Sequence, residues 1–347
     1  MKVDAKLSRT DKDGGARPVS DIAEQARDAE NAGYHALWGG ESAYDPFLPL
    51  VPAAGATTRL EVGTAVAVAF ARSPMTLAYT AHDLNLLADG RLLLGLGSQV
   101  RPHVERRFGM PWSRPASRMR EFVEAMRAIW SAWNEGTRLD FRGDFYQHTL
   151  MTPFFSPAPS PSGPPKVYLA GVGDRMTEVA GAVCDGFLPH PFTTERYLRE
   201  HTLPILRGAL QKAGRDLGGF SVSLSGMVVT GRSEEEFEAA ASAMRRQIAF
   251  YGSTPAYRGV LELHGWGDLG QELANLARGD SEDRWRRMGD LVDDEVLHAF
   301  AVVAEPDRLA QAVAARFGGL VDRFSFYSPY QHDPGIWAPA VAELSKL

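Results

Sequence analysis

Gly90-Arg91-Leu92-Leu93-Leu94-Gly95-Leu96-Gly97 decides the fold of this 347-residue chain. Arg91 to Leu96 reads as a short apolar strand. Upstream, Met75 to Ala88 reads as a helix. Downstream, Pro115 to Trp133 is the clearest helix of the chain, with Met119, Phe122, Val123, Met126, Ile129 and Trp130 on one face. Parallel strands need crossover helices, so a strand set between two helices points to a parallel sheet.

The alternation continues on both sides. Towards the N-terminus lie strands at Val3–Leu7, Tyr34–Trp38 and Leu60–Val68. A helix over 19–33 carries Ile22, Ala23, Ala26, Ala29 and Ala32 on one face, with Ser20 as N-cap and Gly33 as its end. Pro46–Ala56 reads as a second helix. Residues 137–166 break the pattern with six prolines from Pro153 to Pro165, which suit neither a helix nor a central strand. Strands then return at Val167–Ala170, Gly186–Pro189 and Phe220–Thr230, with helices at Asp174–Val183 and 194–213. Ser233 and Glu236 have capping-box spacing at the start of another helix. A second excursion covers 251–298. Ala299–Val303 is strand-like, Glu305–Phe317 a helix, Val321–Tyr327 the last strand and Ile336–Lys346 a closing helix. Eight main strands, starting near 3, 34, 60, 91, 167, 186, 220 and 321, predict an α/β fold. It is a (β/α)8 TIM barrel, one domain over 1–347 with insertions at about 137–166 and 251–298. A doubly wound open sheet is the alternative.

Composition narrows the function. With 37 basic and 43 acidic side chains the net charge is -6, so no nucleic acid partner is expected. The lone Cys184 rules out an intrachain disulfide and fits a reducing, cytoplasmic setting. No apolar run reaches the roughly 20 residues of a membrane helix. No metal site is expected: the nine histidines are scattered, and no H-E-x-x-H or paired cysteines occur. There is also no G-x-S-x-G elbow and no Walker loop. A barrel lacking all of these leaves chemistry done by a bound cofactor on a small-molecule substrate.

In such a barrel the site lies at the C-terminal strand ends. Glu41, directly after the second strand, is placed to orient a ligand or move a proton. His103, beyond the fourth strand, is a candidate acid or base. A salt-bridge carboxylate and a surface histidine are the competing readings. Arg72 closes the third strand. His190 and Phe192 follow the sixth. Gly171-Val172-Gly173-Asp174-Arg175 joins a strand to a helix, where backbone N–H groups can hold a phosphate, or where glycine serves a tight turn. Neither paired-glycine segment completes G-x-G-x-x-G, because Val100 and Met176 fill the sixth position.

The chain resembles the bacterial luciferase-like flavin monooxygenase superfamily, and within it the deazaflavin (coenzyme F420)-dependent oxidoreductases. The resemblance rests on Ala29–Trp38, Gly63–Pro74, Gly90–Gly97, Pro165–Gly171 and Ala180–Gly186. Ala249–Tyr257 is similar to one actinobacterial-type subgroup. The resemblance implies a barrel, coenzyme F420 or alternatively FMN at its mouth, and a homodimer. It implies a non-proline cis peptide at Ala65–Val66, with Ala65, Val66 and Ala67 behind the cofactor ring. Gly97, Ser98 and Gln99 are assigned to the ring edge, and Gly171, Val172, Gly173 and Arg175 to the phosphate-bearing tail. Relatives with Asp-His after the second strand have Glu41-Ser42 as their counterpart here, and Ser98-Gln99 stands where some carry a glutamate. Glu41 and His103 therefore remain the catalytic candidates. Phe47, His190, Phe192 and Trp266 are candidates for the substrate pocket, with core packing as the competing reading for Phe47, Phe192 and Trp266. The expected reaction is hydride transfer between F420 and a C=C, C=O or C=N bond or an alcohol. An FMN-dependent monooxygenase and a cofactor-free binding barrel are the alternatives.

Overall fold

The computed structural model describes residues 1–10 and 15–346. Eight strands close into a ring: β1 (Lys2–Lys6), β2 (Ala36–Gly39), β3 (Glu61–Thr64), β4 (Leu92–Gly97), β5 (Lys166–Gly171), β6 (Gly186–Pro189), β7 (Ser221–Val229) and β8 (Arg323–Tyr327). Each pairs in parallel with the next, and β8 returns to β1. The return pairing excludes the open sheet. Ala67–Val68 and Val302–Val303 add short parallel pairings to β4 and β7.

The outer layer is α1 (Ile22–Asn31), α2 (Leu50–Ala56), α3 (Pro74–Leu87), α4 (Pro115–Glu135), α5 (Asp174–Val183), α6 (Leu203–Lys212), α7 (Glu234–Gly252), α8 (Leu309–Phe317) and α9 (Ala338–Leu344). The apolar face of α4 is buried as its periodicity predicts, and Trp130 also donates its indole N–H to the Ala78 carbonyl of α3 at 3.2 Å. Ser233 caps α7 by accepting the Glu236 N–H at 3.2 Å. Ser20 does not cap α1. A 3-10 turn over Val19–Asp21 leads in, and Asp21 takes the N-cap position. The helix expected from Pro46 starts at Leu50, because Asp45 Oδ1 accepts the N–H groups of Phe47 and Leu48 and holds a turn there. Likewise α8 starts at Leu309 rather than Glu305. Residues 137–166 contain a small hairpin, Phe141–Arg142 with Gln147–His148, tied down by Glu121 accepting the N–H groups of Asp144, Phe145 and Tyr146. The second insertion folds into helices Arg258–Leu263, Gly267–Ala277, Arg284–Asp290 and Asp294–Phe300. Among the described residues no helix is long and apolar enough to cross a membrane.

The motifs that revealed the fold hold its lower face together. The Arg91 guanidinium donates to the carbonyls of Leu60, Thr57 and Ala54 at 2.5, 3.0 and 3.1 Å. Asp185 accepts the Val167 N–H at 2.8 Å and pairs bidentately with Arg127. Inside the ring, Arg323 donates to Asp4 at 2.7 and 2.8 Å and to Glu61 at 2.6 Å, while Trp38 donates to Asp4 at 2.8 Å. Asp4 and Arg323 are 1% and 2% exposed. A buried charge is tolerated only when paired and hydrogen-bonded, and this cluster satisfies both conditions. It plugs the barrel floor, so the opposite end is left to bind.

Candidate functional site

The third strand does not run straight to its helix. After Thr64 the chain turns inward through a cis peptide between Ala65 and Val66. Ala65 is exposed and Val66 half-buried. Close approach is what the neighbouring glycines permit. A Cβ on Gly95 would fall 1.9 Å from the Thr64 carbonyl oxygen, and one on Gly97 would fall 2.6 Å from Val66 Cγ2. A Cβ on Gly63 would meet the Leu93 carbonyl oxygen and the Trp38 ring inside 3 Å. The Gly-x-Gly of β4 is thus a flat shelf that lets a bulge of β3 fold over it. Gln99 leaves the shelf at φ +60, an uncommon conformation for a residue with a side chain. Its own Oε1 accepts the Val100 N–H at 2.9 Å.

Glu41 is engaged below the bulge. Its side chain is 8% exposed, and Oε2 accepts the Val68 N–H at 2.7 Å while pairing with Arg72 at 2.7 Å. Its own N–H donates to the Val66 carbonyl at 3.2 Å. These contacts make it an anchor of the bulge. His103 sits on the short helix Arg101–Arg106, exposed at the rim. Gly171 and Val172 are half-buried and Gly173 caps α5, with Arg175 exposed beside it. The N–H groups of that first turn are positioned for an anion. Asp174, in the same turn, is turned to His201 at 2.8 Å.

Of the substrate-pocket candidates, His190 lies in the mouth. Its ring stacks on Tyr257 at 4.4 Å and meets Tyr251 edge-on at 4.7 Å. Nδ1 accepts the Phe192 N–H at 3.0 Å, and Nε2 lies 3.2 Å from the Tyr257 hydroxyl. Burial pushes the imidazole down to a pKa of about 4, so it is neutral at pH 7. Phe192 stacks on Phe300 at 4.4 Å and packs in the core beneath the second insertion. Phe47 is 7% exposed in the main core, under the Arg72 guanidinium. Trp266 stacks on His264 at 4.5 Å within the insertion.

The structure adds residues that were not singled out from the sequence. Lys6 ends β1 and Tyr327 ends β8. They lie on the same inward faces as Asp4 and Arg323, because side chains two apart on a strand share a side. Lys6 Nζ lies 4.4 Å from the centre of the Tyr327 ring. The Tyr327 hydroxyl is 2.9 Å from that of Tyr251. Burial and the Tyr251 hydrogen bond hold the Tyr327 phenol protonated, well above its ordinary pKa. Lys6 keeps solvent-exposed surface, yet so much protein surrounds its ammonium that desolvation draws its pKa down to about 8. Buried hydroxyls at Thr193, Ser225 and Thr230, and Nε and Nη1 of Arg9, have no hydrogen-bond partner, and all four residues lie on or just beyond β1, β6 and β7. Two surface clefts, one walled by Arg232, Phe237 and Pro306 and the other by Arg120, Pro204 and Lys212, are lined by none of these residues. The barrel mouth, with its bulge, its orphaned polar groups and its shifted titrations, is the better candidate.

An uncharacterized protein of Mycobacterium tuberculosis is 53% identical over 301 residues, which cover 87% of this chain and 88% of that one. A 5,10-methylenetetrahydromethanopterin reductase of Archaeoglobus fulgidus is 27% identical over 268 residues, 74% of this chain and 73% of the reductase. Among solved structures, the coenzyme F420 dependent tetrahydromethanopterin reductase of Methanopyrus kandleri superposes with a TM-score of 0.77 at 20% identity, covering 99% of this chain and 97% of its own. The EDTA monooxygenase of a Chelativorans species gives 0.76 at 17% identity, covering 100% and 92%. At these identities the two structures establish a shared fold, and a reductase and a monooxygenase match it almost equally. The family model for luciferase-like monooxygenases matches residues 5–323. This chain belongs to the luciferase-like monooxygenase family.

Proposed function

We propose that this protein is a coenzyme F420-dependent oxidoreductase that transfers a hydride to or from a small organic substrate at the barrel mouth. The observation that carries the reading is the bulge at Ala65–Val66, open to the mouth and seated on the Gly95 and Gly97 shelf. The bulge offers a planar ring a rigid wall of backbone and one small side chain. The likeness to a methylenetetrahydromethanopterin reductase over most of both chains supports a reductase over an oxygenase.

In this reading Ala65, Val66 and Ala67 back the ring, Gly97, Ser98 and Gln99 bound its edge, and the first turn of α5 with Arg175 holds the phosphate. When bound, the deazaflavin supplies a hydride at its ring carbon. Glu41 is a positioning residue: it fixes the bulge through the Val68 N–H and neutralises Arg72. The aromatic groups of the second insertion keep water from the reacting carbon. The proton that balances the hydride comes from the open side of the mouth, where Lys6 and His103 are the solvent-accessible titratable groups described above.

Side-by-side fluorescence titrations with oxidised F420 and FMN test the reading. Tight F420 binding with weak FMN binding is expected. Preference for FMN would move the protein to an oxygen-using monooxygenase, and binding of neither would overturn the redox reading.

A further inference from the structure

The barrel interior holds charges of both signs from floor to mouth, and the Lys6 ammonium is not matched by any of them. Asp4 and Glu61 are taken by Arg323, and Glu61 also by Lys2 at 3.1 Å. Glu41 is taken by Arg72. The Lys6 ammonium has neither an ion-pair nor a hydrogen-bond partner among the described residues; it lies against the face of Tyr327. A cation over a ring is held in place by the ring's quadrupole without being neutralised. Desolvation without a counter-charge also explains why its pKa is drawn down to about 8.

The wall beside Lys6 has the opposite character. Its hydroxyls pair with one another or with His190: Tyr251 with Tyr327, and Tyr257 with the imidazole Nε2. The His190 imidazole, neutral at pH 7, adds no second positive charge. What Tyr251, Tyr257, Tyr327 and His190 present is mainly ring faces and edges, each residue partly open. Such surfaces favour flat, polarisable partners in offset or edge-on contact. Ligand sites of this kind join a mostly apolar lining to a few placed polar groups that fix orientation.

We propose that the substrate is a flat, conjugated carboxylate: its anion meets the Lys6 ammonium, and its conjugated body lies along the wall of His190, Tyr251, Tyr257 and Tyr327. This proposal rests on the redox reading only in naming the substrate of the same mouth, and binding can be measured without turnover. The probes are trans-cinnamate, the neutral cinnamamide, which keeps the ring and double bond, and cyclohexanepropionate, which keeps the anion and loses the flat body.

Calorimetric titration of the purified protein is expected to show cinnamate binding about tenfold tighter than cinnamamide, the discrimination a single charge-assisted contact supplies in a partly desolvated site. Cyclohexanepropionate is expected to bind more weakly than cinnamate. Lys6→Met should erase the preference for cinnamate over cinnamamide, and Lys6→Arg should restore it. Tyr257→Leu should weaken both cinnamyl probes alike and leave their ratio intact. No binding of cinnamate, equal binding of the two cinnamyl probes by the wild type, or a preference kept in Lys6→Met would each overturn the proposal. F420 affinity measured on the same samples separates the two readings. Loss of F420 binding with cinnamate discrimination intact would sink the cofactor reading alone, and the reverse pattern would sink this one alone.

Discussion

Replacing Gly97 by alanine puts a methyl group where the structure has the back of the bulge. The added Cβ falls 2.6 Å from Val66 Cγ2, against ordinary carbon contacts of about 3.5–4.0 Å, so one of them must move by about 1 Å. Val66 is the end of a short side chain on the mouth side, and it gives way more easily than β4, which pairs on both sides. Overpacking of this size costs about 1–3 kcal/mol. At about 2.1 cal/mol/K per residue, unfolding this 347-residue chain carries an entropy of about 0.7 kcal/mol/K, so Tm should fall by only about 1.5–4 °C. The proposed cofactor wall, displaced by about 1 Å, should lose more than about tenfold in F420 affinity, since misplacements of this size are costly in preorganised sites. Gly95→Ala is the contrasting variant. Its Cβ would lie 1.9 Å from the Thr64 carbonyl oxygen, and that backbone cannot rotate away, so Tm should fall further than in Gly97→Ala. Thermal unfolding by circular dichroism and F420 fluorescence titration read both effects. A Gly97→Ala protein with a lowered Tm and wild-type F420 affinity would refute the placement of the ring against Ala65–Val66.

Arg323→Met strips the counter-charge from Asp4 and Glu61 and should cost about 3–5 kcal/mol, read as a lowered urea midpoint. Burial pushes the Glu61 carboxyl up, but Arg323 and Lys2 outweigh it and hold its pKa below the ordinary value. Its contribution is therefore full above the unfolded carboxylate pKa of about 4.3 and is lost as pH falls through the lower folded value, so wild type should weaken below pH of about 4 more steeply than the variant. His190, pushed down to about 4 by burial, should remain neutral at pH 6 in a histidine-selective NMR titration. The unfolded chain takes up that proton below pH of about 6.5 and the folded one does not, so stability is full above that value and declines as pH falls towards 4. An imidazole titrating near 6.5 would contradict the packed geometry. Cys184, fully buried and pushed up to about 12 by desolvation, should resist an aromatic disulfide reagent in the folded protein and react at once in denaturant. Rapid reaction of the native protein would contradict its burial.

The barrel was legible because its signals are local. Arg91-Leu92-Leu93-Leu94 between glycines is a strand whatever surrounds it, and the α4 stripe from Met119 to Trp130 is buried as its spacing requires. The position of Glu41 followed from the strand-end rule, but its role did not. Whether a carboxylate is free or tied depends on Arg72 and the Val68 N–H, which reach it across the bulge. Phe47 and Phe192, open between pocket and core in the sequence, pack in the two cores, a choice that long-range contacts make. Lys6 was the signal passed over. Val3 to Leu7 alternates, and the side-chain period of two puts Asp4 and Lys6 on one face of β1. An acid deep in the barrel and a lysine two residues nearer the mouth could have been read from that parity. Tyr251, near the end of α7, and Tyr257, in the second insertion, had no such signal, because only long-range packing against Phe192 brings them to the mouth.

Isotope transfer tests the proposed hydride transfer at this mouth most directly. Reduced F420 carrying deuterium at its reactive ring carbon would be incubated with the protein and a panel of conjugated acids, enones and imines, with oxygen uptake followed in parallel. The account predicts deuterium at one carbon of a reduced product and no oxygen consumption. Oxygen uptake with reduced FMN, and no deuterium in any product, would contradict it.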